Sequence, residues 1–285
     1  GVSFMFLVSM NRKLRLIDWF KKNEINEPNL IKYLDLVSLG TVCDVVPLIG
    51  LNRAIVKQGL KILKEKKNLG LKTLLDICKI ESSPSIYHLG FMLGPRINAG
   101  GRVGKCSHGA NLLLNTDPKN AFKLASELNQ FNKERQILEK DLLQKLLNET
   151  KDYSKDPVLV LSGNNWHEGI IGIVAARLKD KFNKPVIIIS IEGQIGKASA
   201  RSIVGFDIGS IIISATQNKI LLKGGGHKMA GGFSININNI ERFKEFVFRK
   251  FRSINEDLTS VKPLYLDSVI SPAAINLEFY NKVNN

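Results

Sequence analysis

Five short segments carry the residues that could do chemistry. In the apolar run YLDLVSLGTVCDVVPL (33–48) stands Asp44. A carboxylate in such surroundings is expensive to bury unless it is paired or bound to metal. Asp44 is therefore a candidate ligand for a hard divalent cation, or else a helix cap or turn former before Pro47. One carboxylate does not hold a catalytic metal, which needs several oxygen or imidazole ligands. Asp35 lies in the same run, but nothing in the spacing requires it to face the same pocket.

The second segment, GPRINAGGR, sets Arg96, Asn98 and Arg102 among glycines. Glycine lets backbone N–H groups approach an anion, and arginine forks onto phosphate oxygens. The third, GGGHKMAGG (224–232), places Gly224, Gly225 and Gly226 directly before His227. It reads as a phosphate cradle with an imidazole donor, the alternative being a structural hairpin. It matches neither a Walker A loop nor a dinucleotide fingerprint. The fourth, GKASARS, offers Ser199, Arg201 and Ser202 as phosphate donors. The fifth, NWHEG, puts His167 just before a helix, where N–H groups can face an anion. His88 and His108 read as structural.

The elements that must position these groups fall into two patterns. Residues 1–20 read as helix, 21–30 as a polar loop, and 33–48 as a buried segment that ends at a turn. Residues 51–66 and 70–79 read as helices, and another helical stretch starts at Ser85. The basic, glycine-rich stretch 94–109 reads as a loop. From Pro118 to about Lys151 one long amphipathic helix is expected, with Leu124, Leu128, Phe131, Leu138, Leu142 and Leu146 on one stripe. Asp117 can cap it, and Pro118 suits its first position. Its length suggests a connector between two bodies.

Beyond Asp156 the pattern changes. PVLVLSG (157–163) and KPVIIIS (184–190) read as buried strands around the helix GIIGIVAARLKDKF (169–182). Strand, helix, strand predicts a parallel α/β sheet. A further strand is expected at 194–202 and a short helix at 207–215. The glycine stretch 224–232 reads as a loop before strand 233–237 and helix 240–251. The tail, from PLYLDSV on, opens with a strand-like run.

The chain has 285 residues, enough for two ordinary domains. Lys plus Arg is 41 and Asp plus Glu is 26, a net charge of +15 that suits a polyanionic partner. Lys outnumbers Arg 30 to 11, so part of this excess is consistent with lysine scattered over solvated faces. Cys43, Cys78 and Cys106 are far apart and odd in number, which gives no disulfide framework or zinc spacing. A reducing, cytoplasmic compartment is the simplest reading. No apolar run approaches the ~20 residues that span a bilayer, so no membrane association is expected.

Taken in order, LDLVSLGTVCDVVPL, GPRINAGGR, LNQFNKERQ, WHEGIIGIVAARL, GKASARS and GGGHKMAGG resemble the RecJ family of single-stranded-DNA-specific exonucleases, in the DHH phosphoesterase superfamily. The resemblance covers nearly the whole chain. It implies an α/β protein in four parts: the C-terminal part of a DHH catalytic domain (1–117), a connector helix (118–155), a DHHA1 substrate-binding domain (156–257) and the start of an OB-fold domain (258–285). It implies 5′-to-3′ hydrolysis of single-stranded DNA in repair and recombination, with two Mn2+ or Mg2+ ions. A helicase or single-strand-binding protein is the implied partner. Asp44 matches the last of the family's metal motifs. Arg96, Asn98, Arg102, Ser199, Arg201, Gly224, Gly225, Gly226 and His227 are implied to hold the strand's phosphates.

The departures matter. The family's Asp-x-Asp and Asp-His-His motifs are absent from this chain, which begins with Gly rather than Met. The expectation is a fragment truncated at both ends, its metal site incomplete and its activity absent. Cys43, Ala200 and Gly231 stand where Ala, Gly and Ala are usual. Two other readings compete. One is a superfamily phosphodiesterase for short oligonucleotides or cyclic dinucleotides. The other is a non-catalytic single-stranded nucleic-acid-binding module. The editing-type relatives of alanyl-tRNA synthetase share glycine-rich ends but lack the Asp44 segment.

Overall fold

The computed structural model describes residues 1–149, 156–254 and 266–284. Helices come first: α1 (Val2–Leu16), α2 (Trp19–Lys22), α3 (Leu34–Cys43), α4 (Gly50–Lys64), α5 (Leu69–Ile77), α6 (Gly94–Val103), α7 (Ser107–Leu113) and the long α8 (Pro118–Glu149). A wide π-helical turn, His88–Leu93, runs straight into α6. The stretch 94–109 is therefore mostly helix, not loop. Its glycines serve close packing rather than chain freedom. A Cβ on Gly94 would press on Cys43 Sγ, and one on Gly109 would lie 2.8 Å from Ile97 Cγ2.

Helix α8 starts where capping chemistry predicts. The Asp117 carboxylate accepts the Asn120 N–H at 3.0 Å, and Pro118 opens the helix. Its apolar stripe enters two cores, except for Leu138, which lies between them and is exposed. Leu124 and Leu128 pack with Leu71, Leu74, Leu89 and Leu93. Leu142 and Leu146 pack with Leu159, Ile171, Val174 and Ile188. One rigid helix thus joins a helical body to a sheet.

The sheet body comprises β1 (Leu159–Asn164), α9 (Glu168–Phe182), β2 (Val186–Glu192), β3 (Ile195–Arg201), α10 (Ile208–Gln217), β4 (Lys223–His227), β5 (Ala230–Asn236) and α11 (Ile240–Ile254). Strand order is β1-β2-β3-β5-β4. Only β1 and β2 run parallel, joined by the α9 crossover; the other three pairings are antiparallel. The parallel expectation thus holds for one pair, because tight turns join β2 to β3 and β4 to β5. The segment GGGHKMAGG is not a loop: it is the β4–β5 hairpin.

Both faces of β2 are buried. Ile187 and Ile189 join the core under α10 and α11, while Val186 and Ile188 join the core under α9. Helix α9 packs over β2 and β3 on its face and leaves Lys223 and His227 of β4 and Gly232 of β5 exposed there. The first three residues of the strand-like run PLYLD in the tail lie outside the described residues. From Leu266 on, the described tail forms a 3-10 turn (Pro272–Ala274) and helix α12 (Leu277–Asn284), with no strand.

Candidate functional site

Register decides which side chains share a face, because successive residues of a strand point to opposite sides. Arg201 pairs with Ala230, which pairs with His227. Ser199 pairs with Gly232, which pairs with Gly225. Lys197 pairs with Ser234, which pairs with Lys223. These nine positions lie on one face of the sheet, in three cross-strand rows. The alternating residues Ala198 and Ala200 turn into the core on the other side. An open groove of about 630 Å³ lies over the Lys197 end of this face; its lining includes Lys197, Ser199, Lys223, Gly224, Gly232 and Ser234, with Glu168 and Ile171 from α9.

The three consecutive glycines do different work. A Cβ on Gly224 would lie 2.6 Å from Ile212 Cγ2, and one on Gly226 would press on the Ala230 carbonyl oxygen. Both are excluded by the fold itself. A Cβ on Gly225 would meet nothing within 4 Å. Of the three, only Gly225 has room for a side chain, and the register places that side on the same face as Ser199 and Gly232, where its absence lets a ligand approach the backbone.

His227 is exposed at the end of β4, and its Nδ1 accepts the Met229 N–H at 3.3 Å. The neutral ring then carries its proton on Nε2, the donor an anionic oxygen needs. Arg201 Nη1 donates to Ser199 Oγ at 3.2 Å and to the Ala200 carbonyl at 2.8 Å. Its guanidinium lies under α9 at Gly172, where a Cβ would come within 3.0 Å of Nη2. Ser202, by contrast, turns inward and donates to the Phe206 carbonyl at 2.5 Å.

The helical body brings a second arginine to this place. Arg102, near the end of α6, donates from Nη1 to the Gly169 carbonyl at 3.0 Å. Gly169 is fully committed to this junction, since a Cβ there would press on the Arg102 carbonyl oxygen. Burial, then the like charge of Arg102, lowers the Arg201 pKa from its ordinary value. Burial, then Arg135, lowers that of Arg102, while Glu139 opposes the shift. Arg201 thus feels the charge of Arg102, and Arg102 that of Arg135, so a bound anion would relieve this cluster of like charge.

A small cleft of about 160 Å³ lies at the same junction, between the helical body and α9; its lining includes Cys43, Asn98, Arg102, Arg135 and Ile173. Asn98 is exposed there. Arg135 donates to Glu139 at 2.7 Å and to Asn132 at 3.1 Å, and Arg177 pairs with the other oxygen of Glu139. Arg96 has a different setting. Its Nε donates to Asn129 at 3.0 Å and its Nη1 to the Met92 carbonyl at 2.7 Å, tying α6 to α8.

Asp44 is not buried, contrary to the expectation from its apolar neighbours. It caps the C-terminus of α3 and is exposed, directly after the cleft-lining Cys43. The next residue, Val45, has φ 54 and is 85% exposed. A β-branched residue in the left-handed region is strained by about 1–3 kcal/mol. Asp35 is the buried carboxylate, at 3% exposure, and burial raises its pKa. Nine residues before Asp44, it lies two and a half helical turns away, on the other side of α3. Among the described residues no group of three or more His, Cys, Asp or Glu could hold a metal ion. The donors present therefore do not fit a two-metal centre by themselves.

The remaining histidines have local roles. His167 caps α9 by accepting the Gly169 N–H at 3.1 Å, His88 accepts the Ser85 N–H at 3.0 Å, and His108 contacts Glu127 at 2.9 Å. The residues that sequence reading missed are Lys197, Lys223, Gly232, Ser234 and Arg135. For the two lysines a signal existed: counting back in twos from Arg201 and from His227 reaches both.

A glycine-rich hairpin at the edge of a mixed sheet, with an arginine strand beside it, defines the class: residues 155–253 match the DHHA1 domain family. The chain is a homologue of the single-stranded-DNA-specific exonuclease RecJ over most of its length. It is 36% identical over 291 residues to RecJ of Escherichia coli (strain K12), covering 98% of this chain and 50% of that protein. The solved structures of RecJ from Thermus thermophilus in complex with Mg2+ and with Mn2+ superpose with TM-scores of 0.72 and 0.73. Both are 32% identical, and the match covers 83% of this chain and 36% and 35% of those chains. The chain thus spans half or less of the length of these relatives. Among the described residues no helix is long and apolar enough to cross a membrane.

Proposed function

We propose that this chain supplies the strand-gripping part of a RecJ-like exonuclease that hydrolyses single-stranded DNA from its 5′ end in repair and recombination. The observation that carries this reading is the convergence of Arg201, Ser199, Gly225 and His227 on one sheet face, beside Arg102 from the helical body. Arg201 and Arg102 neutralise a phosphate, Ser199 holds the Arg201 guanidinium in place, and His227 donates from Nε2. The groove reads the backbone and is indifferent to base identity. The metal of the whole enzyme is manganese or magnesium, as in the RecJ structures, and Asp44 is one of its ligands. One carboxylate does not hold two metals, so this chain by itself binds a strand without cutting it. The whole enzyme works in the cytoplasm with a helicase or single-strand-binding protein.

The test is fluorescence anisotropy of the 285-residue chain on a labelled oligodeoxythymidylate and on a blunt duplex. The single strand binds more tightly, and affinity falls steeply with salt. Arg201→Ala and Arg102→Ala each weaken binding, while Asp44→Ala leaves it unchanged. Equal affinity of the Arg201→Ala chain overturns the reading.

A further inference from the structure

The three cross-strand rows repeat one pattern. At one end Arg201 and His227 flank Ala230; at the other, Lys197 and Lys223 flank Ser234. Between them lies the low row of Ser199, Gly232 and Gly225. Two cationic pairs thus face each other across a floor almost free of side chains.

We infer that Lys197 and Lys223 form a second phosphate clamp, which holds the same strand further along the groove. The inference rests on the reading that this face binds a single strand. The spacing supports it. Four residues of strand separate Lys197 from Arg201 and Lys223 from His227, about 13 Å along each strand. With a rise of about 3.4 Å per stacked nucleotide, that distance is crossed by about four nucleotides, or fewer if the strand is extended. The two lysines stand two strand spacings apart, about 9.6 Å, so a backbone lying over Ser234 reaches both ammonium groups. Ser234, half-buried in the groove, adds a hydroxyl between them.

The lysines are available for this role. Lys223 is exposed, and no ion-pair partner of it is found among the described residues. Lys197 contacts Glu168 at 2.7 Å, and that hydrogen bond raises its pKa. The pair is open to water, with side-chain exposures of 55% and 46%, so it contributes little stability and yields to a phosphate. Glu168 is the acid on the groove wall, and it holds the Lys197 ammonium at the groove when no strand is bound.

The experiment compares four versions of the 285-residue chain on a twelve-nucleotide oligodeoxythymidylate over a salt series. They are the unaltered chain, Arg201→Ala, the double variant Lys197→Ala/Lys223→Ala, and Lys61→Ala/Lys64→Ala. The last removes the same charge from the exposed face of α4, away from the sheet. Loss of two phosphate contacts flattens the slope of log K against log salt by about 1.4. Between 1 M and 0.1 M salt this amounts to about a 25-fold difference in affinity. The Lys197/Lys223 variant shows this change, the Lys61/Lys64 variant shows little, and Lys197→Arg/Lys223→Arg restores binding. If the two lysine variants behave alike, the second clamp is overturned, while a loss in Arg201→Ala leaves the reading of the face intact. If Arg201→Ala binds as tightly as the unaltered chain, that reading falls and takes the clamp with it.

Discussion

Gly225 and Gly226 are neighbours in sequence, yet alanine at each should have opposite consequences. At Gly226 a Cβ would press on the Ala230 carbonyl oxygen and lie 2.5 Å from Gly231 Cα, both backbone atoms of the partner strand. Neither can swing away as a flexible side chain could, so the hairpin must open. Overpacking of this kind costs about 2 kcal/mol, or about 4–8 °C in Tm. At Gly225 the same Cβ meets nothing within 4 Å. Its φ is outside the left-handed region, so alanine fits the strand and gains about 0.5 kcal/mol from reduced backbone entropy. The new methyl stands on the groove floor between Arg201–His227 and Lys197–Lys223. A strand lying there loses about 1 kcal/mol, roughly fivefold in Kd. Circular dichroism melting and anisotropy on the same two samples separate the effects. Gly226→Ala melts early; Gly225→Ala melts at or slightly above the unaltered chain but binds DNA more weakly. Equal destabilisation by both would refute the register, and full affinity in Gly225→Ala would refute the groove floor as a binding surface.

Two further outcomes follow from groups outside the sheet. Glu139 is 3% exposed and joins Arg135, whose side chain is 13% exposed, to Arg177. Glu139→Ala leaves the Arg135 charge buried without compensation and costs about 3 kcal/mol, which a urea titration measures as a lower midpoint at unchanged slope. Val45→Gly releases the strained backbone after Asp44 without loss of buried surface, since Val45 is 85% exposed. It should raise Tm by about 2–4 °C, a gain of about 1 kcal/mol, and an unchanged or lower Tm would show that the turn carries no strain.

Local chemistry alone determined much of this protein. The caps and the apolar stripe of α8, the β1–α9–β2 unit and the charge excess are all readable in sequence, because each depends on neighbours a few positions away. The order of the motifs was enough to show the resemblance to RecJ. Glycine was the ambiguous letter. In GPRINAGGR it allows α6 to pack against α3 and α8, and in GGGHKMAGG it allows two strands and α10 to close together; both stretches read as loops because the same residue serves freedom and contact. The apolar run around Asp44 suggested burial, but the helix ends there and turns the carboxylate to solvent. Arg96 and Arg102 differ in setting: one ties two helices together, and the other reaches the Gly169 carbonyl of α9, where its charge is felt by Arg201. Cross-strand register, which depends on hairpins spanning the sheet, decided that Arg201, His227, Lys197 and Lys223 share a face and that Gly225, alone of the three glycines before His227, has room for a side chain there.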